Sequence, residues 1–248
     1  MPDIISFVAS GAFAAFRDPS VTTNQTVYFI PSKSAVIGLL GAIIGVERSN
    51  NLGDKYEKPY LDFFKKTRIG LQLETQNPKK ITMFTNHRSL IKPITKPFKT
   101  ELFENPKYRI FVKTDDPYYS QLAESLESNN FKYSPYFGHA YCPVIISKVE
   151  KYLDLEGVVP KGQKTMCVVL DESETYDTNF KLNLRKAEGE PSVMIERHHH
   201  DYFEGEKFDS RILKHWIPIN NSIFKIEDHS GGKLSEFVKL NNHVICLY

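Results

Sequence analysis

Three cysteines, one tryptophan and no long apolar run in 248 residues exclude several classes of protein at once. Cys142, Cys167 and Cys246 are far apart, odd in number and without any C-x-x-C spacing. Neither a disulfide frame nor a cysteine zinc site is therefore expected, and free thiols in a reducing cytoplasm are. The longest apolar run, Ala35 to Val46, is shorter than the roughly 20 residues of a membrane-spanning helix. The chain begins Met1-Pro2-Asp3, with no basic stretch ahead of an apolar core, so no secretory signal is expected. Gly38, Gly41 and Gly45 are spaced like a glycine-rich loop but lack the Gly-Lys-Ser/Thr ending that cradles phosphate. No internal repeat, low-complexity tract or cofactor motif is present.

What is present is unevenly charged. Between Gln76 and Lys113 lie nine basic residues, including Arg88, Lys92, Lys96 and Lys99, against Glu101 and Glu104. Nine less two makes that segment +7 in a chain of net charge +2, an asymmetry that suits an anionic partner at one place. Phe84, Phe98, Phe103, Tyr108 and Phe111 stand among the lysines. Cations neutralise phosphates and aromatic faces stack on unpaired bases, which makes Phe98 and Phe103, inside the insertion, the better stacking candidates.

In chain order, Asp3 to Ala9 reads as a buried strand and Ser10 to Ile30 as a loop with a short extended piece near Tyr28. Pro31-Ser32-Lys33 opens a helix with Ser32 as its N-cap. Val36, Leu39, Leu40, Ile43 and Ile44 form one apolar face. The three glycines fall opposite, so a second element is expected to pack on them. A short helix over Pro59 to Lys66, a strand over Arg68 to Thr75 and strands at Ile81 to Thr85 and Lys107 to Lys113 follow, with an extended insertion of about twenty residues between the last two. A helix from Asp116-Pro117 and a strand over Tyr141 to Val149, with Pro143 marking an edge or bulge, complete residues 1–150. The order is strand, helix, strand, strand, helix, strand. The expected class is therefore α+β: a ferredoxin-like, RNA-recognition-like βαββαβ domain with an extended basic insertion at 76–113. Residues 151–248 carry short strands (Gln163 to Leu170, Phe180 to Leu184, Ser192 to Arg197, Ile212 to Ile219, Ile223 to Glu227, His243 to Leu247) between glycines, the pattern of a smaller β-rich domain.

Several groups carry chemistry. Arg17, beside Asp18-Pro19 in a polar loop, can fork onto a phosphate or pair with a local acid. Ser32 and Lys33 offer hydroxyl, amides and charge at a helix N-terminus. His198 and His200 would share one face of a strand and could reach a metal with Glu196, but an exposed strand end is the expected reading and no metal is assigned. Cys142 near His139 reads as a buried structural thiol. Metal-free RNA cleavage needs a base and an acid, for which Tyr28, His87, Arg88 and His139 are the available groups.

The opening stretch also carries a resemblance. Gly11-x-x-Ala14-x-Phe16-Arg17-x-Pro19, then Thr26-x-Tyr28-x-x-Pro31-x-x-Ser34-x-x-x-Gly38-Leu39-Leu40-Gly41-Ala42-Ile43-Ile44-Gly45, resembles CRISPR-associated protein family five, of the repeat-associated RNA-binding superfamily. The likeness covers about forty residues, and the Tyr136-Phe137-Gly138 turn is similar to the family's glycine-containing loop. It implies a cytoplasmic Cascade subunit that caps the 5′ handle of a guide RNA and meets the backbone and large subunits, with target DNA contacted only indirectly. It also implies a protruding thumb, for which the basic insertion is the natural segment. On this reading Arg17, Asn24, Thr26, Tyr28, Ser32, Lys33, Arg88, Lys92, Lys96, Phe98, Lys99 and His139 face RNA. A type I-C branch of the family cleaves precursor RNA with tyrosine, lysine and histidine. Tyr28 matches that tyrosine, but Asn86-His87-Arg88 stands where the branch has an adjacent Lys-His pair. The expectation is a non-cleaving, type I-B-like member, with cleavage by Tyr28, His87 and His139 as the alternative.

Overall fold

The computed structural model describes residues 4–21, 25–49, 56–88, 94–173, 179–188, 192–230 and 232–248. The first half contains β1 (Ile4–Ser10), β2 (Phe13–Ala14), α1 (Lys33–Ile44), α2 (Lys58–Lys66), β3 (Arg68–Leu73), β4 (Lys79–Arg88), β5 (Thr95–Glu104), β6 (Lys107–Lys113), α3 (Tyr118–Ser128) and β7 (Ile145–Tyr152). The second contains β8 (Lys164–Thr165), β9 (Val169–Asp171), β10 (Asn179–Glu188), β11 (Val193–Glu204), β12 (Lys207–Pro218), β13 (Ile223–Ser230), β14 (Glu236–Leu240) and β15 (His243–Leu247).

The principal sheet has the order β3-β6-β1-β7, and all its neighbours are antiparallel. β1 is central because it pairs on both sides, and its first six residues are buried. Ser32 caps α1 by accepting from the Ala35 amide at 3.3 Å, and Gly45 ends it with φ of 82°, the left-handed conformation that glycine adopts without a Cβ clash. Val36, Leu39, Leu40 and Ile43 are buried, as their spacing requires. The glycine face meets the expectation only at Gly45, where a Cβ would fall 2.9 Å from Lys132 Cγ. A Cβ on Gly41 would meet the Val46 carbonyl of the helix's own terminal turn, whereas one on Gly38 would meet nothing within 4 Å. Among the described residues no packing element covers Gly38, which lines an open cavity.

The basic insertion is not an extended loop. β4 and β5 form a hairpin registered from Lys79–Glu104 to Arg88–Thr95. Its foot is fixed by β2, which pairs with Phe103 and Glu104. Pro97 sits opposite Asn86, beyond the stretch of β5 that has a second neighbour among the described residues, so its missing N–H interrupts no ladder. The strand expected at Tyr141 to Val149 starts four residues later, with Pro143 confined to an isolated bridge to Tyr136, and it forms the sheet edge.

The C-terminal strands dock on the first half. Ile69 and Tyr248 exchange both backbone bonds, at 2.9 and 3.0 Å, and the Val168 amide donates to the Leu71 carbonyl at 2.7 Å. One buried cluster includes Phe7, Leu40 and Phe63 with Val169, Leu213 and Ile226. β14, unexpected from sequence, pairs with β15 along its whole length. No helix of the described residues is long and apolar enough to cross a membrane.

Candidate nucleic-acid interface

The Arg17 to Tyr28 loop is held at both ends. The Ala15 amide donates to Phe137, the Tyr28 amide to Phe16 and the Asp18 amide to Thr26, all within 3.0 Å. Gln25 exchanges backbone bonds with Lys99 and Glu101, which joins this end of the loop to the middle of β5. The Phe137 turn can approach because residue 138 is glycine: its φ is +80°, and a Cβ would fall 2.2 Å from the Ala15 carbonyl oxygen. Together these contacts bring Arg17, Tyr28, Ser32 and His139 around one cleft of about 300 Å³.

Arg17 is exposed and donates to the Val21 carbonyl at 3.2 Å; among the described residues it is in no ion pair. Its neighbour Asp18 instead accepts from the amide and hydroxyl of Ser20. Burial pulls the Asp18 carboxyl upward, but the bonds from Ser20 and Tyr28 outweigh it and hold the group below its ordinary value. Burial, then the bond to Asp18 and the charges of Asp18 and Glu196, push the Tyr28 phenol far up, so it stays protonated. His139 stacks on Tyr141 with centroids 5.0 Å apart.

The rest of the cleft comes from β11, which sequence reasoning did not connect to it. Glu196 accepts from the Phe29 amide at 2.9 Å and the Ile30 amide at 3.3 Å, and contacts His198 Nε2 at 3.0 Å. The His198 ring stacks on Tyr28, centroids 3.9 Å apart at 23°. Asp201 bonds the Ser34 hydroxyl. Ser34, His198, His199 and Asp201 all line the cleft.

The histidine triplet is not an exposed strand end. His198 and His200 do share a face, as alternation requires, but that face is interior and each ring is 1% exposed. They gather with His215 and Tyr248. Burial, then the charge of Lys33, pushes His200 well down. Among the described residues no group of three or more metal-binding side chains could hold an ion. Cys142, Cys167 and Cys246 are free and buried.

Lys33 is also redirected. Its ammonium is not offered at the helix N-terminus; the residue is buried and Nζ lies 5.0 Å over the Phe64 ring. The first turn of α1 faces β11, so the side chain enters the core. Burial, then the charge of Arg68, pushes its pKa down to about 7, against a smaller opposing pull from Asp201. Between pH 7 and 10.5 the unfolded chain holds a proton that the folded chain lacks, so stability rises with pH across that window. Lys33→Met is expected to stabilise by about 3–5 kcal/mol at pH 7, with the gain shrinking toward pH 10. Thermal melts at several pH values measure this, and a pH-independent gain would refute it.

The hairpin carries the remaining expected residues. Arg88 and Lys96 are exposed, Phe98 and Lys99 half-buried. Among the described residues, Lys79, Arg88, Lys96 and Lys99 are in no ion pair. Phe103 is no stacking platform: it is fully buried and packs edge-on against Phe29 at 5.0 Å. The exposed hairpin ring is Phe84, at 75%. Asn24, Lys92 and the side chain of His87 lie outside the described residues, and Thr26 is half-buried. By register, the His87 backbone is opposite Lys96, four residues from the Thr100 bridge to Gln25. That is about 13 Å along the strand from the loop bearing Tyr28.

Comparison with known proteins completes the picture. The family model described as CRISPR-associated protein (Cas_Cas5) matches residues 4–206. Comparison with curated proteins returned no match. Among solved structures, a CRISPR protein from Archaeoglobus fulgidus is 12% identical, with 98% of each chain covered and a TM-score of 0.52. A chain of a CRISPR RNA-guided surveillance complex is 12% identical over 86% of this chain and 90% of its own, with a TM-score of 0.47. A structure described as a Cas protein is 16% identical, and this chain spans 59% of its length, covering 56% of this one, at a TM-score of 0.38. At these identities the first likeness bears on the fold alone. The family match runs from β1 to the turn after β11 and takes in every residue of the cleft, and on it this chain belongs to the CRISPR-associated protein (Cas_Cas5) family.

Proposed function

We propose that the chain is a non-catalytic RNA-binding subunit of a type I CRISPR effector complex, holding the 5′ handle of the guide RNA. In this reading it meets the backbone and large subunits and reaches target DNA only through them. The observation that carries it is the placing of Arg17, free of ion pairs among the described residues, with Tyr28, Ser32 and His139 in one cleft at the foot of a cationic hairpin. Cations that no carboxylate satisfies are available for phosphates. The strand order β3-β6-β1-β7, with α1 and α3 as the crossovers, supports a ferredoxin-like reading of residues 1–150. The β4–β5 hairpin is then the thumb, and residues 151–248 a second, β-rich unit.

Cleavage is the second reading, because Tyr28 and His139 line the same cleft. A phenol held protonated by burial and Asp18 is a poor base and a poor acid at neutral pH, which favours binding over cutting. Incubating the full chain with its repeat RNA in EDTA separates the two. The expected outcome is a stable complex with uncut RNA. A discrete cut abolished by Tyr28→Phe or His139→Ala would establish the endoribonuclease instead, and no RNA binding would end both.

A further inference from the structure

We propose that the cavity beside the cleft takes one guanine base of the bound RNA, with Asp201 reading its edge. The inference rests on the RNA-binding reading and assigns a base to a second pocket at that site. The cavity measures about 410 Å³ and shares Ser34, Ala35, Gly138 and Asp201 with the cleft, so one nucleotide can reach both.

Its walls are aromatic. Tyr56 and Tyr60 stack with centroids 5.5 Å apart at 26°, and Phe208 meets Tyr56 edge-on at 5.4 Å. The Arg48 guanidinium lies 4.8 Å over Tyr56 and donates to its hydroxyl at 3.0 Å. Tyr136, 47% exposed, lines the cavity as well. Gly38 leaves open space above the backbone of α1. Among the described residues, Arg48 and Asp201 are the charged residues of the lining, and their charges cancel. A formally neutral, aromatic pocket suits an uncharged planar heterocycle better than a phosphate, while the adjoining cleft offers Arg17.

Asp201 decides which heterocycle. One carboxylate oxygen accepts from Ser34, which leaves acceptor positions unused, and a carboxylate donates nothing. Guanine presents two adjacent N–H donors, at N1 and N2. Adenine and cytosine set a lone pair beside their amino group, and uracil flanks its single N–H with carbonyls. A carboxylate therefore attracts the guanine edge and repels part of each other edge.

Titrating GMP, AMP, CMP and UMP into the full chain, followed by calorimetry or saturation-transfer NMR, tests this. GMP is expected to bind at least about tenfold more tightly than AMP or UMP. Asp201→Asn, which keeps an acceptor for Ser34, should bring all four within about threefold. Tyr136→Ala, on a half-exposed ring, should weaken all four by about tenfold at an unchanged melting temperature, and it serves as the second variant if Asp201→Asn folds poorly. Equal binding of the four nucleotides, or a GMP preference that survives Asp201→Asn, overturns the proposal. So does absence of GMP binding at millimolar concentration. In that last case, continued binding of the repeat RNA would leave the RNA-binding reading standing.

Discussion

Replacing Arg88, Lys96 and Lys99 with glutamine is expected to weaken binding of the repeat RNA by about 10–100-fold near 0.15 M salt. The slope of log affinity against log salt should flatten by about 2. The warrant is the arrangement of β4 and β5. These cations extend from a paired hairpin and, among the described residues, meet no carboxylate. Each phosphate contact on a single strand contributes about 0.7 to the slope through counterion release. Three lost contacts therefore have a signature that a general loss of stability does not reproduce. Glutamine keeps side-chain length and hydrogen bonding, so the melting temperature should hold. Undiminished affinity with an unchanged slope would place the RNA elsewhere on the molecule.

Glu196→Ala should be the most destabilising of these substitutions. The Glu196 carboxylate satisfies the amides of Phe29 and Ile30 and engages His198. Its removal orphans part-buried donors, at about 1–3 kcal/mol each. The expected destabilisation is about 3 kcal/mol, a fall of about 6–12 °C in melting temperature for a chain of this size. RNA affinity should fall with it, because the same carboxylate fixes the backbone just after Tyr28 and the histidine stacked on Tyr28. Glu196→Gln keeps an acceptor and should lose less. The Lys65–Glu206 pair is the contrast: Glu206 is 92% exposed, and Glu206→Ala should cost under about 0.5 kcal/mol. Matching melts for the two alanine variants would show that Glu196 anchors nothing.

The local parts of the site were legible from sequence because local rules govern them. Ser32 caps α1 since a hydroxyl at that position reaches the amide three residues on. Arg17, Tyr28 and His139 came to attention through the polar loop and the Tyr136-Phe137-Gly138 turn, and they line one cleft. Lys33 obeyed a different rule. Its position at the helix start suggested an anion site, but β11 and Phe64 lie on that side of α1 and bury it. Phe103 likewise became core because β2 pairs at the hairpin's foot.

By itself, then, the sequence determined the order of the three helices and the four principal-sheet strands in the first half, though not β2 or β5, the apolar face and cap of α1, and the cationic character of the insertion. These follow from periodicity, capping and charge, which act over a few residues. Only the tertiary structure decided that the insertion is a hairpin, that Gly38 faces open space, that His198, His199 and Asp201 complete the cleft, and that Glu196 braces it. The Phe29–Glu196 and Ser34–Asp201 bonds join residues 167 positions apart. They depend on the pairing register of β11 and on its docking against α1, and no local pattern encodes either.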